Sequence, residues 1–224
     1  MGADQLSPQD RDDLVWFCRR LAAALQGGTS LHVALEAMCE SATPGQQDLV
    51  TPARRAVEAG RHLSDAGPMD GLPSYLWKPL RGGEIRNAVA PALSGLADRV
   101  ELEAGYPGSP SRLQAYAIAL GRLGFMLAFG VPLLSALESA AESVPDSEVT
   151  EVLFAARAVV REGAGLADAL ARLAPDLPPL TTDMIRDGEE EGRLDFALSV
   201  VSDYLFDQAE DSAPSSAAQE VSHG

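Results

Sequence analysis

Leu14, Phe17, Cys18, Leu21 and Leu25 recur at intervals of three and four, which lays one apolar stripe along an α-helix. Asp12 or Asp13 suits its N-cap, and Gly27-Gly28 suits its end. Thr29 or Ser30 then opens a second helix that buries Leu31, Ala34, Leu35 and Met38. A turn at Thr43-Pro44-Gly45 follows. Pro52 fits the first turn of a third helix running to Gly60. A short helical piece holds Leu63, Ser64 and Asp65. Pro79, after Tyr75, Leu76 and Trp77, is expected to kink or interrupt a fifth helix. The sixth is predicted to start after Gly83 and to run to about Glu103.

The same programme then restarts. Leu120, Leu123 and Leu127 take the places of Cys18, Leu21 and Leu25, 102 residues on. Gly130-Val131-Pro132-Leu133 follows Gly28-Thr29-Ser30-Leu31, and Ala136-Leu137-Glu138 follows Ala34-Leu35-Glu36. Gly163 to Ala169, with Leu166 and Asp168, repeats Gly60 to Ala66, with Leu63 and Asp65, at an offset of 103. Gly188-Glu189 repeats Gly83-Glu84 at an offset of 105, and Ala197-Leu198-Ser199 repeats Ala92-Leu93-Ser94. Any one match is cheap in a chain rich in Ala, Leu and Gly. Four blocks in one order, with offsets drifting only from 102 to 105, predict an internal duplication. The expected division is a flexible leader over 1–11, a first degenerate unit over 12–103, a Pro/Gly linker over 104–111, a second unit over 112–209 and a disordered Ser/Ala tail over 210–224.

Composition narrows the class. Aromatics are 5% of the chain, while Ala and Leu, both strong helix formers, dominate a hydrophobic content of 46%. The fold class expected is therefore all-α. A formal charge of −16 repels phosphate backbones, so nucleic acid is not an expected partner, and basic protein surfaces are. The two cysteines and the lack of a signal peptide point to a cytoplasmic protein. The least polar run, Leu123 to Leu137, lacks charge for only 15 residues, too few to span a bilayer.

The second copy reads Gly130-Val131-Pro132-Leu133, then Ala136-Leu137-Glu138. It continues with Gly163, Leu166, Asp168 and Ala169, and ends in Met184-Ile185, Gly188-Glu189, Gly192 and Leu194. It resembles the cytoplasmic F domain of bacterial type II secretion systems, shared with the inner-membrane platform proteins of type IV pilus machines. The likeness covers about residues 113–208 well and 12–103 more loosely. In the first copy Asn87 and Val89 stand where the pattern has glycine and leucine. The resemblance implies two tandem antiparallel six-helix bundles without enzymatic activity; family members carry transmembrane helices after each such domain, which this chain is expected to lack. It also implies partners within the machine, its motor ATPase or inner-membrane subunits, reached from the cytoplasm. Related domains pair, so the two copies are expected to pair within one chain, or two chains to form a homodimer. The function expected is a protein–protein interaction module: an adaptor, regulator or scaffold. A helical scaffold unrelated to secretion is the alternative, and a metal-dependent enzyme a remote one.

Candidate chemistry is thin. Six carboxylates fall within 13 residues, from Asp183 to Asp195. Asp187, Glu189 and Glu191 are weak candidates for a hard-cation site, but their spacing fits no EF-hand loop. Acids at a helix N-terminus, with Glu189 or Glu191 accepting backbone N–H bonds, is the preferred reading. Glu84 and Glu189 are expected to tie each corner to neighbouring backbone, with Asp65 and Asp168 as local caps. His32, His62 and Cys39 lack metal-ligand spacing. Gly82-Gly83 and Gly163-Ala164-Gly165 are expected to terminate helices. No cofactor is expected.

Overall fold

The computed structural model describes residues 7–66, 74–104 and 110–212. Among these residues every regular element is helical. The first half holds α1 (Pro8–Gln26), α2 (Leu31–Ser41), α3 (Pro44–Glu58), a 3₁₀ turn (Leu63–Asp65), α4 (Ser74–Ile85) and α5 (Val89–Ala104). The second holds α6 (Arg112–Ala128), α7 (Leu133–Ser143), α8 (Ser147–Arg161), α9 (Leu166–Leu173), α10 (Pro179–Glu190) and α11 (Leu194–Asp211).

Each half is built round one long helix pair, α1 with α5 and α6 with α11. The remaining neighbours follow the chain: α1 touches α2 and α3, α3 touches the 3₁₀ turn, the turn touches α4, and α4 touches α5. In the second half α6 touches α7 and α8, α8 touches α9, α9 touches α10, and α10 touches α11. Most of each predicted stripe is core, while Leu25 and Leu127 are half-buried against it. Leu14, Phe17, Cys18 and Leu21 are buried on α1, and Leu120, Leu123 and Met126 on α6. Burying side chains of this size contributes roughly 1.5–3 kcal/mol each before conformational entropy is charged against it. Small residues let α6 and α11 approach. A Cβ at Gly124 would sit 2.8 Å from the Asp195 carbonyl oxygen.

Several predicted boundaries move. Residues 8–11, expected in a leader, form the first turn of α1. Ser7 rather than Asp12 or Asp13 is the cap, in a reciprocal box with Asp10. Pro44 is not in a free turn. It starts α3 under a Thr43–Gln46 capping box, so Pro52 lies inside that helix and forfeits one backbone bond. Pro79 does not break α4, and that helix runs straight through Gly82-Gly83 to Ile85. The corner comes later, at Asn87 (φ 57°), and α5 begins at Val89 instead of after Gly83. The left-handed corner residue is Gly192 (φ 68°) in the second half, which Asn can imitate because its short polar side chain tolerates that region. The first half thus carries five α-helices and a 3₁₀ turn among the described residues, one α-helix short of six. The linker's residues 105–109, the tail beyond 212 and leader residues 1–6 lie outside the described residues.

Burial decides the cysteine chemistry. Cys18 is fully enclosed and its thiol is pushed up to about 12 by desolvation, against a smaller pull from Arg19, while Cys39 is half-buried. At pH 8 the Cys18 thiolate is scarce as well as shielded. Iodoacetamide is therefore expected to label Cys39 alone in the native protein and both thiols in guanidinium. Mass spectrometry of the labelled chain checks this; fast native labelling of Cys18 would contradict its burial.

Candidate functional site

The acidic corner of the second half is organised by Glu189, near the end of α10. Its carboxylate accepts from the Leu166 N–H (2.6 Å) and the Ala167 N–H (3.2 Å), the first turn of α9. These donors have no partner within their own helix, and the carboxylate lies where the helix dipole favours negative charge. Gly165 supplies the room: a Cβ there would stand 2.9 Å from Glu189 Oε2. Gly188, buried in α10, lets α11 close over it, since a Cβ would overlap Ala197.

The first half has the same device at Glu84. Its carboxylate accepts from the Leu63 N–H, the Ser64 N–H (3.4 Å) and the Ser64 hydroxyl. His62 Nδ1 lies 3.7 Å away. Gly83 plays the part of Gly188, as a Cβ would stand 2.8 Å from that of Ala92. Asp65 and Asp168 do not cap. Asp65 accepts from Arg81 (3.1 Å) and Asp168 from Arg186 (3.1 Å), two exposed pairs one helical turn from the glutamates. Surface pairs of this kind contribute roughly 0–1 kcal/mol. The turns at Gly60, Gly130 and Gly163 all take positive φ. Pro132 precedes α7 as its N-cap residue, with Leu133 first in the helix, and Leu194 starts α11.

The cation candidates do not converge. Glu189 is engaged by backbone N–H groups, Glu191 pairs with Arg193, and Asp187 is exposed. Among the described residues no three His, Cys, Asp or Glu side chains gather as a metal would require.

Where the halves meet, the chemistry was not legible in advance. Arg122 of α6 is 1% exposed. Its guanidinium lies 4.2 Å from the centroid of the Tyr75 ring, and it donates to the Ser143 carbonyl. Lys78 of α4 reaches across to α7, donating to the hydroxyls of Ser135 (3.1 Å) and Ser139. Arg86 donates to the Ala128 carbonyl (3.2 Å) at the end of α6. Glycines set the spacing, because a Cβ on Gly82 would overlap the Phe129 carbonyl and one on Gly95 would sit 2.7 Å from the Phe125 ring. The first half thus lays α4 against both α6 and α7, with α5 touching α6 beside it.

Residues 119–218 match the family model for type II secretion system (T2SS), protein F, and they contain the Glu189 corner and the α6–α7 hairpin end. Over those residues the second half of the chain is similar to protein F of that system. The type IV pilus assembly protein PilC of Thermus thermophilus is 31% identical over 118 residues, covering 53% of this chain and 29% of that protein. PilC of Myxococcus xanthus is 30% identical over 113 residues, 50% of this chain and 27% of its own. The type II secretion system protein F of Xanthomonas campestris pv. campestris is 40% identical over 81 residues, 36% of this chain and 20% of that protein. The chain therefore matches less than a third of the length of each of these relatives. No helix among the described residues is long and apolar enough to cross a membrane.

Proposed function

We propose that this chain is a protein–protein interaction module, an adaptor or regulator within a type II secretion or type IV pilus assembly machine. The observation that carries the reading is the F domain at residues 119–218, held by the Glu189 tie. Two F-like units related by duplication make up the chain, the first spanning α1 to α5 and the second α6 to α11. Supporting that division, the helix neighbours run in the same order in both halves, and Glu84 and Glu189 bind backbone in the same way. The joint through α4 is then the pairing of those units inside one molecule, favoured because a short tether raises their effective concentration to roughly millimolar. With a charge of −16, the module meets basic patches on a motor ATPase or an inner-membrane subunit from the cytoplasmic side.

Affinity capture from native extract, with the full chain as bait, tests this. Recovery of a secretion or pilus ATPase, or of an inner-membrane component of the machine, is the expected result. Recovery should decline as salt is raised, since the attraction is screened within roughly 8 Å at physiological ionic strength. A reproducible set of partners with no secretion or pilus component among them would overturn the assignment.

A further inference from the structure

The seam between the halves carries an open trough. α5 from the first half and α11 from the second both lie against α6, and the cavity they enclose with it is about 380 Å³. Glycine shapes its floor. A Cβ at Gly121 would overlap the Arg99 guanidinium and stand 2.6 Å from the Ser202 hydroxyl, so α5 and α11 both reach over α6 there. Arg99 is only 9% exposed, which makes its charge part of the floor and not of the lip. The walls are apolar and unfinished: Phe196 of α11 is 61% exposed, Leu102 of α5 is 39% exposed, and Phe125 of α6 is half-buried. Large apolar side chains gathered in one concavity mark a contact site, whereas single ones scattered on a surface do not.

The lip is acidic, and its charge is available. Asp195 and Asp203 line the trough from α11 and take part in no ion pair among the described residues, whereas Asp98 on the α5 side is held by Arg19. Asp203, Asp207 and Glu210, all exposed, carry the acidic stripe on along α11 at helical spacing. Asp195 and Asp203 lie eight residues apart with Ser199 midway, a span of about 12 Å at 1.5 Å per residue. A second helix repeats its side chains at that same rise. Cations eight residues apart, with an apolar side chain between them, therefore match the lip and the walls together.

We propose that this trough docks a basic amphipathic helix of a partner protein, its apolar side chain seated against Phe196 and Leu102 and its lysines or arginines on Asp195 and Asp203. The docking rests on the interaction-module reading and gives it a location. Because α5 comes from one half and α6 and α11 from the other, the site is complete only while the halves are joined.

Nuclear magnetic resonance titration of the isotope-labelled full chain tests it, in about 150 mM salt to screen the net charge. The probe is a synthetic amphipathic peptide of about 18 Lys and Leu residues, long enough to form a helix. Amide shifts are expected to concentrate at Leu102, Phe125, Phe196, Ser199 and Asp203, and a Glu/Leu peptide of the same length should leave them in place. Phe196→Ala removes an exposed ring, so helical circular dichroism should persist while affinity falls about tenfold. Asp203→Lys should weaken binding about fivefold or more, and Glu36→Lys, the same charge change on exposed α2, less than about twofold. Shifts spread over the whole acidic surface, equal effects of the two charge reversals, or affinity unaltered by Phe196→Ala would rule the docking out. So would a Glu/Leu peptide that moves the same amides, or no binding of the Lys/Leu peptide at millimolar concentration. All of these results leave the interaction-module reading standing, since that falls only if capture from extract returns partners with no secretion or pilus component among them.

Discussion

Glu189→Ala should lower the stability of the second half by about 3 kcal/mol, one of the two largest effects expected of any single substitution here. The carboxylate satisfies two amides at the start of α9, those of Leu166 and Ala167, both in a half-buried setting. Hydrogen bonds to a charged acceptor contribute roughly 1.5–3 kcal/mol, and each N–H left dry costs about 1–3. Alanine removes both acceptors at once. Glu189→Gln keeps one acceptor oxygen but turns an NH₂ group toward the second amide, so about half the loss is expected. Hydrogen exchange gives the sharpest reading. The Leu166 and Ala167 amides should exchange on the order of 100-fold faster in Glu189→Ala, with α6 and α11 much less affected. Unchanged protection at those two amides would show that α9 is held by its buried Leu166 and Leu170 and not by the tie.

Much of this architecture is legible in the residues, and what is not has identifiable causes. Apolar spacing finds the helices because an α-helix must bury one stripe, and the stripe Leu14–Leu25 is the core face of α1. Proline and glycine mislead because each has two uses. Pro44 reads as a turn residue until Thr43 and Gln46 are recognised as a capping box that starts a helix. Gly82-Gly83 reads as a helix end, yet both lie inside α4, where the missing Cβ admits Phe129 and Ala92 from elsewhere in the fold. Only the partner distinguishes those roles, and for Gly82 that partner, Phe129, is far away in sequence. Asp65 and Asp168 look like caps by position. The signal that was present and unused is that Arg81 and Arg186 recur at the same offset as the glutamates, so that the acid and the arginine repeat together. Arg122 is the hardest case. A charge amid an apolar stripe marks a conflict, but nothing local says that Tyr75 covers it.

Gly82→Leu should separate the two halves while leaving each folded. The position faces the Phe129 carbonyl at the end of α6, a backbone atom that cannot swing aside, so even one added carbon overlaps it. Overpacking of this kind usually costs about 1–3 kcal/mol because neighbours shift. Here the shift required is withdrawal of α4 as a body, and its other contacts fail with it. Lys78 leaves Ser135 and Ser139, and the Tyr75 ring lifts off the Arg122 guanidinium. The cation–π contact and the apolar burial of Tyr75 are lost together, and a total of about 3 kcal/mol or more is expected. Far-ultraviolet circular dichroism should hardly change, the radius of gyration should rise, and urea unfolding should split into two transitions, one for each half. Arg81→Gln, which loses only an exposed pair with Asp65, is the control, with an effect of at most about 1 kcal/mol. A single undivided transition for Gly82→Leu, shifted no further than the control, would mean that α4 is not what joins the halves. The contact between α5 and α6 would then have to carry that connection.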